Sequence, residues 1–79
     1  MIVWVVIGQH PHVPGVRISV HATESGADTA AARLTEQIRM DVNGFYLAPA
    51  TAENWRTIMA VLEEQYDCHV ASVAQEVQP

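Results

Sequence analysis

Apolar and polar positions alternate with two different periods along this chain, and the switches between them mark its elements. The first run, IVWVVI from Ile2 to Ile7, is continuously β-branched and aromatic. That composition predicts a strand apolar on both faces. The second run, VRISVHA from Val16 to Ala22, alternates: Val16, Ile18, Val20 and Ala22 point one way, and Arg17, Ser19 and His21 the other. GQHPHVPG lies between the two runs and joins them as an antiparallel hairpin with a loop longer than the common two-residue turn.

After the hairpin the period lengthens. Ser25, with Asp28 three residues on, has the form of a capping box and predicts a helix starting near Gly26. Ala27, Ala31, Leu34 and Ile38 supply its apolar stripe. Asn43-Gly44 supplies a left-handed stop. FYLA, Phe45 to Ala48, reads equally as a buried connector or a short strand. Pro49 and Thr51 announce a second helix with Thr51 as N-cap. Its stripe is Trp55, Ile58, Met59, Leu62 and Tyr66. CHVASVAQEV, Cys68 to Val77, is a last strand. The order β-β-α-(β)-α-β predicts one α+β domain over 1–79. Two helices should pack on one face of an antiparallel sheet of three or four strands.

Two helices cover only one face of such a sheet. The first strand carries Ile2, Trp4 and Val6 on one side and Val3, Val5 and Ile7 on the other, so one triplet faces away from the helices. A large side chain left in water forgoes about 1.5–3 kcal/mol of burial. A domain of 79 residues has little core to spare. The open triplet therefore predicts a partner protein or a second copy packed on that face, unless the stems of Arg17 and His21 drape over it.

Charge and cysteine content narrow the function classes. The net charge is −5, and the basic residues are four arginines (Arg17, Arg33, Arg39, Arg56) with no lysine. Nucleic-acid binding, which needs cations to displace counterions, is disfavoured. The single cysteine, Cys68, forms no internal disulfide and fits a reducing cytosol. The apolar start lacks the basic segment and cleavage site of a signal peptide, and no window is apolar enough to span a membrane. The expected location is the bacterial cytoplasm. Arginine without lysine, among many Ala and Val, suggests a GC-rich bacterial genome or one of its phages.

Candidate chemistry centres on the loop. His10 and His12 at i, i+2 fall on one side of an extended chain, about 6.5–7 Å apart, a workable chelating separation. No third ligand is evident: His21 lies at the far end of the second strand, and Cys68 and His69 open the last one. No metal or other cofactor is expected. Cys68 and His69, adjacent in a strand, point to opposite faces and cannot form a dyad. Without a nucleophile motif, phosphate loop or carboxylate pair, an enzyme is not expected, and a His-dependent ribonuclease stands as the weakest alternative. Glu63, Glu64 and Asp67 crowd the end of the second helix, where its dipole disfavours negative charge. They suggest an acidic patch for an Arg/Lys-rich partner. The expected contact residues are thus His10 and His12 in the loop, Arg17 and His21 on the open sheet face, Trp4 as an apolar anchor if it faces out, and Glu63, Glu64 and Asp67.

The hairpin IVWVVI…VRISVHA, the Ala-rich ADTAAARLTEQI, the helix TAENWRTIMAVLEEQY and the closing strand together resemble, in overall profile, phage-encoded anti-CRISPR proteins. These share no motif. The resemblance implies a small non-enzymatic inhibitor, frequently dimeric, that binds a Cas effector complex at its DNA-binding surface or blocks recruitment of a nuclease. The modest, dispersed acidity here departs from a DNA mimic. A dimeric host regulator or toxin–antitoxin-type component is the alternative.

Overall fold

A computed structural model describes residues 1–78. In chain order the elements are β1 (Ile2–Gln9), β2 (Arg17–His21), α1 (Glu24–Asp41), α2 (Trp55–Gln65) and β3 (His69–Glu76). The strands form one antiparallel sheet in the order β2-β1-β3. The strand that is apolar on both faces thus lies in the middle, with neighbours on each side. Both helices lie on the same face of this α+β fold.

FYLA forms a turn and not a strand, so the sheet has three strands among the described residues. The cause is local. Asn43 takes the left-handed conformation at φ 59°, its N–H donates to the Met40 carbonyl, and the Gly44 N–H donates to the Arg39 carbonyl at 2.7 Å. That pair of bonds closes α1 with a Schellman motif and turns the chain back along the helix. The connector is then clamped to α1: Glu36 accepts the Ala50 N–H, and Arg39 donates to the Leu47 carbonyl. Phe45 and Tyr46 are left exposed at the turn.

The helix starts also differ from expectation in an instructive way. Thr23, not Ser25, caps α1, its hydroxyl accepting the Gly26 N–H at 3.0 Å. Its extended backbone continues directly from β2, so the helix begins two residues earlier than a Ser25 cap would allow. The N-cap of α2 is Asn54, which makes no side-chain capping bond. Thr51 instead closes the preceding turn in a reciprocal arrangement: its hydroxyl accepts the Asn54 N–H, and Asn54 Oδ1 accepts the Thr51 N–H. Regular α2 follows from Trp55, and Tyr66 is already extended, closing the helix.

The two helices run parallel. At one end Trp55 Nε1 donates to Asp28 at 3.1 Å, and at the other the Tyr66 hydroxyl donates to the Val42 carbonyl. α1 touches all three strands, whereas α2 touches the sheet only at β3. Close approach of α1 depends on Ala27, Ala31 and Ala32, and the Leu34 side chain fills the space beside Gly8, where a Cβ would come within 2.7 Å of its Cδ1. Between the layers lie Val6, Ile38, Trp55, Ile58, Met59, Leu62 and Val70.

Candidate interaction face

Val6 is fully buried under α1, which fixes the facing of all three strands. Pairing of Trp4 with His21 and Ala74, Val6 with Ser19 and Ser72, and Gly8 with Arg17 and Val70 puts these residues on the helix side. The opposite side carries Val3, Val5 and Ile7 from β1, Ile18 and Val20 from β2, and Ala71 and Val73 from β3. Ile18 is 66% exposed, Val20 62% and Val73 50%. The side chains on this face carry no formal charge; Gln9 and Gln75 lie at its ends, and His69, in the same register, turns back to bond Glu63 of α2. An uncovered apolar sheet face is therefore present, as the doubly apolar first strand predicts.

Three of the expected contact residues fall on the other side. Trp4 does not face out; it packs against the core beneath the helices. Arg17 and His21 also point toward the helix layer, so neither can drape over the open face. The alternation in VRISVHA was read correctly, but its polar side is the covered one. β2 is an edge strand, and above it passes the polar flank of α1, which supplies a partner for Arg17, while His21 is bonded within β2 itself. Arg17 donates to Gln37 Oε1 at 3.1 Å, and His21 Nε2 is 2.8 Å from Ser19 Oγ.

The loop end of the molecule gathers the β1–β2 loop, both helix C-termini and the α2–β3 turn. His10 is turned inward: its side chain is only 9% exposed, and Nε2 lies 2.7 Å from Asp41 Oδ2 at the end of α1. The His12 N–H donates to His10 Nδ1 at 3.0 Å. With Nδ1 accepting, the ring proton is assigned to Nε2, which donates to Asp41. His10 is thus the loop's tether and His12 its exposed ring, with centroids 5.8 Å apart. Asp67 borders a cavity of about 280 Å³ under the loop.

The acidic trio is divided rather than pooled. Glu63 is engaged by His69 Nδ1 at 2.6 Å, while Glu64 and Asp67 are exposed. Among the described residues no group of three or more His, Cys, Asp or Glu side chains is placed to hold a metal ion. His10 bonds Asp41 and adjoins the exposed His12, while His21 bonds Ser19 and His69 bonds Glu63.

Two groups that the sequence reading missed organise the scaffold. Arg39 binds Glu36 through Nε and an η nitrogen, at 2.6 and 2.7 Å. The guanidinium hydrogen bond holds the Glu36 carboxyl below its usual pKa, and the carboxylate in turn raises Arg39. Arg39 also lies 5.6 Å from the centre of the Phe45 ring. The i, i+3 spacing of Glu36 and Arg39 was visible in the sequence, but their reach to residues 47 and 50 was not. Cys68 is buried, and desolvation pushes its thiol pKa up, helped by the charges of Glu63 and Asp67. No family model matches the chain, and neither a curated protein nor a solved structure matches it.

Proposed function

We propose that this chain is a small non-enzymatic binding protein, dimeric through its open sheet face, that inhibits a larger bacterial defence assembly. The single observation that supports the reading is the bare face bearing Val3, Val5, Ile7, Ile18, Val20 and Val73. Lack of formal charge over its centre means that a two-fold axis brings no like charges together there. Two copies stacked this way make four layers, helix–sheet–sheet–helix, with the sheets about 10 Å apart. The face measures at most roughly 14 by 27 Å from strand spacing and length, about 750 Å² in projection over two copies, which is below the roughly 1,000 Å² of a stable specific interface. The dimer is accordingly one of modest affinity, and its formation depends on concentration.

Stacking leaves the loop end free. There His12, Phe45, Tyr46, Glu64 and Asp67 are all exposed, an aromatic and acidic surface suited to a basic partner. In the setting that the anti-CRISPR resemblance implies, the partner is a Cas effector subunit in the bacterial cytoplasm and the source a phage. Light scattering across a concentration series, together with a phage-protection assay in a strain with active interference, tests the proposal. The wild type should dimerise and protect; Ile18→Glu should remain folded, stay monomeric and lose protection. A wild type that is monomeric at all concentrations and gives no protection rules the reading out.

A further inference from the structure

The helix layer is wider than the sheet it covers. α1 touches all three strands and so lies over their middle, whereas α2 reaches the sheet only at β3. Packed helices stand 8–10 Å apart and paired strands about 4.8 Å. A helix one packing distance from α1 therefore lies about two strand spacings from β1. That is above the position a fourth strand would take outside β3. The space is open: a groove of about 250 Å³ runs between α2 and β3, lined by Trp55, Met59, Ala60 and Val70 among others. β3 is the edge of the sheet there. From His69 to Gln75 it carries no Pro or Lys, and among the described residues no backbone hydrogen bond from outside the sheet reaches it. Natural edges are usually guarded by such residues or covered.

We propose that this groove accepts an extended segment of a partner protein, which pairs with β3 as a fourth strand beneath α2. The proposal rests on the reading of the chain as a binding protein, but it uses a different surface. A second copy does not fit. Pairing two β3 strands about a two-fold axis would place the two α2 helices only about 5 Å apart, inside the minimum packing distance. The charges give the segment a direction. Glu63 is bonded to His69, and Arg56, whose side chain is 60% exposed and forms a long 3.4 Å ion pair with Asp28, stands two helical turns back on the same wall. Seven residues of helix and three of strand both span about 10 Å, so Arg56 is level with Ser72. The positions of an antiparallel segment opposite Ser72 and Val70, and the one two residues further on, point to the helix side. The segment therefore carries an acidic side chain opposite Ser72, facing Arg56, and a basic one four residues later, reaching Glu63. The residue between them is apolar and points into the groove.

The probe is the peptide acetyl-Thr-Glu-Val-Val-Val-Lys-Thr-amide, titrated into ¹⁵N-labelled protein. Saturable shifts of the amides of residues 69–75 are expected, with several-fold weaker binding for acetyl-Thr-Lys-Val-Val-Val-Glu-Thr-amide. Ala60→Trp fills the groove from an exposed helix position and should abolish the shifts while leaving the remaining spectrum intact. Ile18→Glu, on the opposite layer, should bind the peptide as wild type does. That variant separates failure here from failure of the sheet-face reading. No shift at millimolar peptide, equal binding of both peptides, or undiminished binding by Ala60→Trp would each overturn the proposal.

Discussion

His10 Nε2 lies 2.7 Å from Asp41 Oδ2, tying the start of a proline-stiffened loop to the last residue of α1. Pro11 and Pro14 restrict the loop backbone, and the tether fixes where it sits. Asp41→Ala should cost about 0.5–1.5 kcal/mol, the net worth of one such hydrogen bond. Hydrogen exchange should speed up at His12, Val13 and Gly15 while the protection of β1 is unchanged. Equal exchange in the two proteins would show that the prolines alone hold the loop.

Thr35 is fully buried, and among the described residues its hydroxyl has no hydrogen-bond partner. Valine has the same shape without the polar atom, so Thr35→Val removes a desolvation cost without opening a cavity. An increase of about 1–2 kcal/mol is expected. In a domain of this size that should raise the melting temperature by roughly 4–16 °C. A drop on calorimetry would mean that the hydroxyl is satisfied in solution.

Periodicity carried most of the fold into view. The doubly apolar IVWVVI implied a strand with one face left uncovered, and the stripe beginning at Trp55 implied a packed second helix. The facing of β2 was harder to read, because alternation separates two faces without saying which one the helices cover. Burial of Val6 and the closeness of Gly8 to Leu34 decide it, and both depend on how α1 crosses the sheet. The tether from His10 to Asp41 and the clamp from Glu36 to Ala50 span 31 and 14 residues. No local pattern announces contacts of that range.

The two faces of the sheet should respond to mutation in opposite ways. Val6→Ala empties space at a site with no solvent exposure and should cost about 2–3 kcal/mol. Ile18→Thr, at a site 66% exposed, should change the stability of the monomer by less than about 0.5 kcal/mol. Chemical denaturation at low protein concentration measures both. Comparable losses would mean that the outer face is covered within one chain.

Cys68 is buried beside Met59, with its thiol pKa raised chiefly by desolvation. Thiolate is the reactive form, so native protein at pH 7–8 should react with a disulfide reagent far more slowly than the denatured chain. Labelling should follow opening of the α2–β3 corner and slow further under any condition that stabilises the fold. Rapid stoichiometric labelling of native protein would place Cys68 at the surface.

The Glu36–Arg39 pair sets an acid limit on stability, and its sign follows from the direction of the shift. Arg39 holds the folded-state pKa of Glu36 below the usual 4.5. The unfolded chain therefore binds the proton more readily than the folded one. The contribution of Glu36 is complete above about pH 4.5 and is lost as pH falls through the depressed folded value. Glu36→Gln mimics the protonated side chain at every pH. It should be less stable than wild type at pH 7, with the difference narrowing steadily below pH 4.5 and vanishing once wild-type Glu36 is protonated. Because the same carboxylate accepts the Ala50 N–H, the variant should also loosen the connector that presents Phe45 and Tyr46. Thermal melts of the two proteins from pH 3 to 7 provide the check. A gap that is constant across that range would mean that Glu36 acts there by shape and hydrogen bonding alone, with its charge contributing nothing to the fold.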